Sequence, residues 1–275
     1  MRRPGLYESG VGIRLMVYQF SNKARYRLAQ ITDCHLLANV NGYYQQVQPA
    51  MHLAAIVEQL ILEQPDAVLL TGDVTQDHSV ASYQLLVRLL APLSCPIFCL
   101  PGNHDDTAEL ARLCQHPPFR AERSLQLGDW QLLLLNTKGD TPAGAFSEAE
   151  QRWLQTQCEQ STASALWLFC HHHPKALNCF IDKHGQLQAQ ALWQAIAAEP
   201  RVLGIAHGHA HYAYHQVHQR VDIVGCPASS VQFLPTADWQ TVDLGPQWCD
   251  WVFSADKGVS WQFRHLEIMV KHNNE

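Results

Sequence analysis

Three short apolar runs, Tyr26 to Ile31, Ala67 to Leu70 and Pro96 to Leu100, each stop at a small polar cluster, and two stretches with helical spacing lie between them. The helical stretches are Pro49 to Glu63, with apolar residues at Met51, Ala54, Ala55, Val57, Leu60 and Ile61, and residues 79 to 91. This alternation predicts a βαβαβ unit of parallel strands joined by right-handed crossovers. It also places the three polar clusters, Thr32-Asp33, Thr71-Gly72-Asp73 and the run PGNHDD at 101–106, on one edge of a sheet. Ligands of open α/β folds bind at that edge.

The second half of the chain repeats the device with histidine. Ala165 to Cys170 reads as a strand ending in His171-His172-His173-Pro174, and Val202 to Ala206 as a strand ending in His207-Gly208-His209-Ala210-His211. Before them, Arg123 to Leu127, a Gly128-Asp129 turn and Gln131 to Leu135 read as a hairpin. Ser147 with Glu150 three residues on is a capping box for a helix to about Gln160. After them, the segments 212–217, 221–224, 231–234, 239–244, 248–253 and 259–266 read as antiparallel strands. Residues 1–24 form no regular pattern and are expected to be an irregular extension, with Met16 as an alternative start; residues 25–275 are expected to be a single domain.

Composition narrows the chemistry. Charged residues are only 16% of the chain and the formal net charge is -6, so neither a nucleic-acid-binding surface nor a basic membrane patch is expected. A phosphate-bearing substrate therefore needs a local positive charge. Sixteen histidines among 275 residues is a high count, and histidine is the commonest metal ligand. The nine cysteines are scattered and form no C-x-x-C pair, which points to free thiols and a cytoplasmic location. Arg2 and Arg3 start the chain, but Glu8 and Arg14 interrupt the next apolar stretch, so a signal peptide lacks its core.

Five strand ends thus carry Asp33-x-His35, Asp73, Asn103-His104-Asp105, His172 within its histidine run, and His209-x-His211. Each is weak alone. Asp182-Lys183-His184 has the spacing of the first in an apparent loop, and turns account for Gly128-Asp129 and Gly139-Asp140. Together they form a set of oxygen and imidazole donors without cysteine, which suits manganese, iron or zinc with water in the coordination. Seven donors exceed what one ion needs, whereas two ions sharing a carboxylate would use them all.

The ordered set D-x-H, G-D, G-N-H-D, H-x-P and G-H-x-H resembles the calcineurin-like metallophosphoesterase superfamily. The stretches LAQITDCHL, TGDVTQD, LPGNHD, HHHP, GHAH and PASSVQF are similar to the bacterial class III 3',5'-cyclic AMP phosphodiesterases, over about Tyr26 to Leu234. The resemblance implies an α/β fold in the form of a four-layer αββα sandwich, two mixed sheets flanked by helices. It implies that Asp33, His35, Asp73 and His211 hold one metal and Asp73, Asn103, His172 and His209 the other, with Asp73 as the bridge. His172 is chosen because the family's ligand stands two residues before the proline; His171 and His173 then become packing or supporting groups. His104 would face the substrate as the catalytic group and Asp105 would orient it. The cofactors implied are two divalent or mixed-valence ions, iron and/or manganese, or zinc.

The activity implied is hydrolysis of 3',5'-cyclic AMP to 5'-AMP by in-line attack of a hydroxide bridging the ions. Two carboxylates among seven ligands leave such a centre positively charged, which favours a phosphodiester anion. Alternatives are another small diester, such as a glycerophosphodiester or a 2',3'-cyclic nucleotide, or a non-catalytic scaffold. TGDVTQD lacks the G-D-x-x-D-R-G form of the protein phosphatases. Within residues 176–190, where cyclic nucleotide relatives carry Asn a few residues after Asp, this chain has Asp182 and then Gln188.

Overall fold

A computed structural model describes residues 16–267. The element order opens with β1 (Val17–Gln19), β2 (Arg25–Ile31), α1 (Pro49–Glu63), β3 (Ala67–Thr71), α2 (Val80–Leu90), β4 (Ile97–Leu100), α3 (Thr107–Leu113), β5 (Phe119–Arg120), β6 (Ser124–Leu127) and β7 (Trp130–Leu134). It continues with α4 (Glu148–Gln160), β8 (Ala165–Cys170), α5 (Ala189–Ala198), β9 (Val202–His207), β10 (Tyr214–His218), β11 (Val221–Gly225), β12 (Gln232–Phe233), β13 (Thr241–Val242), β14 (Gln247–Ser254) and β15 (Val259–His265).

Two mixed sheets carry the fold. One has six strands in the order β15-β14-β2-β3-β4-β5, the other seven in the order β1-β6-β7-β8-β9-β11-β10. β2, β3 and β4 run parallel, as do β7, β8 and β9. Strands covered on both faces read as continuous apolar runs, as β3, β4 and β8 do. Tyr26, Leu28, Leu69 and Phe98 of the first sheet share a buried cluster with Trp130, Leu132, Trp167 and Phe169 of the second, so the sheets pack face to face. Leu53, Ile56, Leu60 and Leu86 of α1 and α2 cover the outside of the first sheet. Leu154, Leu192 and Ile196 of α4 and α5 cover the outside of the second. The result is the four-layer αββα arrangement. Among the described residues no helix is long and apolar enough to cross a membrane.

Three sequence expectations need correction. Residues 1–15 of the expected irregular extension lie outside the described residues, but Val17–Gln19 form a strand parallel to β6. Tyr18 and Phe20 put their rings 5.0 and 6.1 Å from Phe98, and burying those aromatics is what orders the segment. β11 pairs parallel with β9, not antiparallel, and only β10 returns antiparallel along it. Residues 231–234 and 239–244 shrink to a two-stranded ribbon, β12 and β13, set apart from both sheets.

Candidate metal centre

The loops after β2, β3, β4, β8 and β9 meet at one place, as hydrogen bonds between them record. Asp33 N donates to the Gly72 carbonyl (3.0 Å), His35 N to the Asp73 carbonyl (2.9 Å) and Gly208 N to the His171 carbonyl (3.1 Å). The turns are tight and strained. Asp33, His35, Asp73, His209 and His211 all have left-handed backbones, with φ from 48 to 63°. Such residues cost roughly 1–3 kcal/mol each and persist where the surrounding structure over-determines them. Two glycines admit the close approach: a Cβ on Gly72 would lie 2.4 Å from His171 Nδ1, and one on Gly102 2.2 Å from Asp73 Oδ1.

Hydrogen bonds fix which nitrogen each imidazole presents. His35 Nδ1 donates to Gln76 Oε1 (2.7 Å) and His211 Nδ1 to the Val231 carbonyl (2.7 Å). His171 Nδ1 donates to the Thr71 carbonyl (2.8 Å), and His209 Nε2 to the His184 carbonyl (3.1 Å). Each ring is then left with one lone pair. The lone pairs of His35 Nε2 and His211 Nε2 face each other at 3.2 Å. His211 Nε2 also lies 3.2 Å from Asp33 Oδ1, a buried oxygen with no hydrogen-bond partner; Asp33 Oδ2 is occupied by Thr32 and by the His209 amide. His171 Nε2 lies 3.3 Å from Asp73 Oδ2 and 3.2 Å from Asn103 Oδ1.

Opposed lone pairs in a buried site repel unless a cation joins them, and ligating histidines characteristically give their other nitrogen to a carbonyl or amide oxygen. The donors therefore fit metal ions. Asp33, His35 and His211 form one compact group, Asp33, Asp73 and His171 a second, and His171, His172 and His209 a third. Charge agrees with geometry. Burial by itself would raise the Asp73 carboxyl, but His171 outweighs it and holds Asp73 well below the usual carboxylate range. Burial would lower His171, yet Asp73 outweighs it and pushes it up to about 9. Burial keeps His35 and His209 neutral, as ligands must be.

The expected residues divide as follows. Asp33, His35, Asp73, Asn103, His209 and His211 are brought together. His172 is brought in with His171 and His209 in the third group, but both its nitrogens are engaged: Nε2 donates to the Pro142 carbonyl (3.2 Å), and Nδ1 accepts from the Thr137 hydroxyl (2.9 Å). His171, expected to be a packing group, holds the central position instead. It is the first residue past β8, and its ring drops between the loops of β3 and β4. Nothing in a run of three histidines marks which one does this.

His104 is partly exposed on the wall of the site, its ring 5.2 Å from that of His35, and its amide donates to Asp73 Oδ1 (2.7 Å). Asp105 does not orient that ring as expected. It accepts from the amides of Gly102 (2.9 Å) and Val74 (3.1 Å) and from the Tyr83 hydroxyl (3.3 Å), and so clamps two motif loops together. Lys138 supports the same loop by donating to the Asn103 carbonyl (2.8 Å), a contact with no sequence signal. Asp182 pairs with His173 (3.2 Å), and Gln188 accepts from the Phe146 amide (2.9 Å).

A cleft of about 420 Å³ opens onto this site, lined by His35, Asp73, Asn103, His104, His209 and His211 at one end. Comparison with known proteins agrees with the geometry. The calcineurin-like phosphoesterase family profile matches residues 26–213. A Pseudoalteromonas protein named a probable cyclic nucleotide phosphodiesterase is 37% identical, over 82% of this chain and 87% of that protein. The 3',5'-cyclic adenosine monophosphate phosphodiesterase CpdA of Vibrio vulnificus is 32% identical, over 87% of this chain and 90% of its own length. A dimetal phosphatase from Danio rerio superposes with a TM-score of 0.60 at 15% identity, covering 88% of this chain and 99% of that one, which shows a shared fold.

Proposed function

The chain belongs to the calcineurin-like phosphoesterase family, and from that premise we propose that it hydrolyses 3',5'-cyclic AMP to 5'-AMP at a two-metal centre. Asp33, His35, Asp73 and His211 would hold one ion. Asp73, Asn103 and His209 would hold the other, with His171 in the place the sequence suggested for His172. Iron or manganese suits these oxygen and imidazole donors, with zinc as the alternative. When bound, the ions supply Lewis acidity toward phosphoryl oxygens and lower the pKa of water.

The protein's own groups do the rest. His104 lines the cleft beside Asp73 and Asn103 but outside the compact donor groups, and this separation is the observation that carries the reading. It leaves an imidazole free to donate to the departing ribose 3'-oxygen, a poor leaving group that needs a proton. Asp105 and Lys138 hold its loop in register with the loop of Asp73. The relatives named cyclic nucleotide phosphodiesterases support the substrate. Nine free cysteines support a reducing cytosol.

Product analysis with 3',5'-cyclic AMP, 3',5'-cyclic GMP and 2',3'-cyclic AMP in the presence of manganese tests the reading. The expected product is 5'-AMP from the first. Turnover of the 2',3'-cyclic ester alone, or of none of the three, would overturn it.

A further inference from the structure

Four aromatic side chains line the same cleft: Tyr44, stacked on His35 with centroids 4.5 Å apart, and Phe180, Phe233 and Trp239, which lie together on the side of His211. Phe233 joins the two ends. Its ring lies flat on His211, with centroids 3.7 Å apart and planes 4° apart, and its edges meet Phe180 at 5.2 Å and Trp239 at 6.4 Å. These rings sit on a small core of their own, built from Val47, Cys179, Ile181, Val231 and Phe233, distinct from the clusters between and outside the sheets. Two loops are tied together there by the Phe180 amide donating to the Thr236 carbonyl (2.9 Å), and the second is braced internally by the Thr236 hydroxyl donating to the Asp238 carbonyl (2.7 Å).

Trp239 is 54% exposed, so it adds little to that core. A single exposed apolar side chain is ordinary on any protein surface. Trp239 differs in its position, at the mouth of a cleft with three more aromatic rings and with the phosphate chemistry at its far end. The cleft volume also falls in the range of small-ligand sites, roughly 300–1,000 Å³.

We infer that this aromatic end is a nucleobase subsite, with the Trp239 indole and the Phe180 ring as stacking surfaces for a purine whose phosphate lies at the histidine and carboxylate end. A bicyclic base matches the indole in area, and aromatic stacking holds a base without requiring a particular hydrogen-bond pattern. The inference rests on the reading that the substrate is a cyclic nucleotide, and it names the residues that prefer a nucleotide to a diester lacking a base.

The test compares the parent with Trp239→Ala and Trp239→Phe on 3',5'-cyclic AMP and on bis(4-nitrophenyl) phosphate, with binding of 5'-AMP followed by isothermal titration calorimetry. Loss of one base–aromatic stack is worth roughly 1–3 kcal/mol, about 5- to 150-fold. Trp239→Ala should raise KM for cyclic AMP by that factor with kcat little changed, and leave kcat/KM for the nitrophenyl ester unaltered. Trp239→Phe should keep most of the affinity. Trp239→Leu, which retains bulk without the ring, serves the same purpose if alanine unsettles the loop. Equal losses on both substrates, or none on either, would overturn the subsite. If the parent hydrolyses the nitrophenyl ester but not cyclic AMP, the proposed function falls by itself. The subsite then stands if 5'-AMP binding depends on Trp239 and falls if it does not.

Discussion

At the deep end of the cleft, the polar groups stand at left-handed turns directly after buried strands, and the ring nitrogens facing away from the site are tied to carbonyl or amide oxygens. At the mouth, Phe180 stands on the segment 176–190, Phe233 and Trp239 on the ribbon β12–β13 and its connection, and Trp239 is half open to solvent. The deep end is held on strands of two sheets, and the mouth on a five-residue core. Such a division separates reaction from recognition. Residues whose displacement by an ångström would stop chemistry are placed on rigid elements, while those that select a substrate sit on loops that can vary without disturbing the sheets.

Substitutions should follow that difference, falling in effect from the deep end to the mouth. Asp73→Asn should release metal at both positions and lower kcat by roughly ten-thousandfold, about 5.5 kcal/mol of barrier. Elemental analysis beside turnover checks it, and a variant retaining two ions and ordinary activity would show that Asp73 is not shared.

His171→Ala against His172→Ala sharpens the comparison inside the histidine run. The first should lose one ion and roughly a thousandfold in kcat, about 4 kcal/mol. The second should keep both ions and lose about 1–3 kcal/mol of stability, because the Pro142 carbonyl and Thr137 hydroxyl are left unpaired in a buried place. Metal content and urea denaturation separate the two, and the reverse pattern would return the ligand role to His172.

For His104→Ala, both ions should remain and kcat on cyclic AMP should fall roughly 100- to 10,000-fold, the range for lost general-acid help. Bis(4-nitrophenyl) phosphate, whose leaving group needs little protonation, should lose much less. Equal losses would assign His104 to phosphate positioning. Phe180→Leu, at the mouth, should have the smallest effect, raising KM for cyclic AMP roughly twofold to tenfold, as for one aromatic contact, with the nitrophenyl ester untouched. An effect on kcat there would break the division.

Much of the deep end is legible along the chain. The apolar spacing of Pro49 to Glu63 predicts a helix with the bounds observed, and Ala165 to Cys170 predicts its strand equally well. Ser147 caps its helix as expected by accepting from the Glu150 amide (3.2 Å). The reciprocal half of the capping box is absent, since the Glu150 carboxylate instead accepts from Arg123 and the Asn136 amide. Tertiary partners offered that side chain a better-buried arrangement than its own helix did. The helices α3 and α5 are not part of the pattern read from the chain; Asp106, at the end of PGNHDD, caps the first by accepting from the Ala108 and Glu109 amides.

The sequence by itself determined the types of donor, their order, and their placement at strand ends, because strand and helix periods are local properties of the backbone and a polar cluster that ends an apolar run is visible without knowing its neighbours. Tertiary structure alone decided which of three adjacent histidines presents a free nitrogen to the site. That depends on carbonyls far away in the chain: His171 is oriented by Thr71, a hundred residues earlier, and His211 by Val231, twenty residues later. It also decided that Trp239, which reads as the start of a strand, lines the same cleft as Asp73. An imidazole's role is set by which of its two nitrogens is already engaged, and that is settled only when the sheets pack.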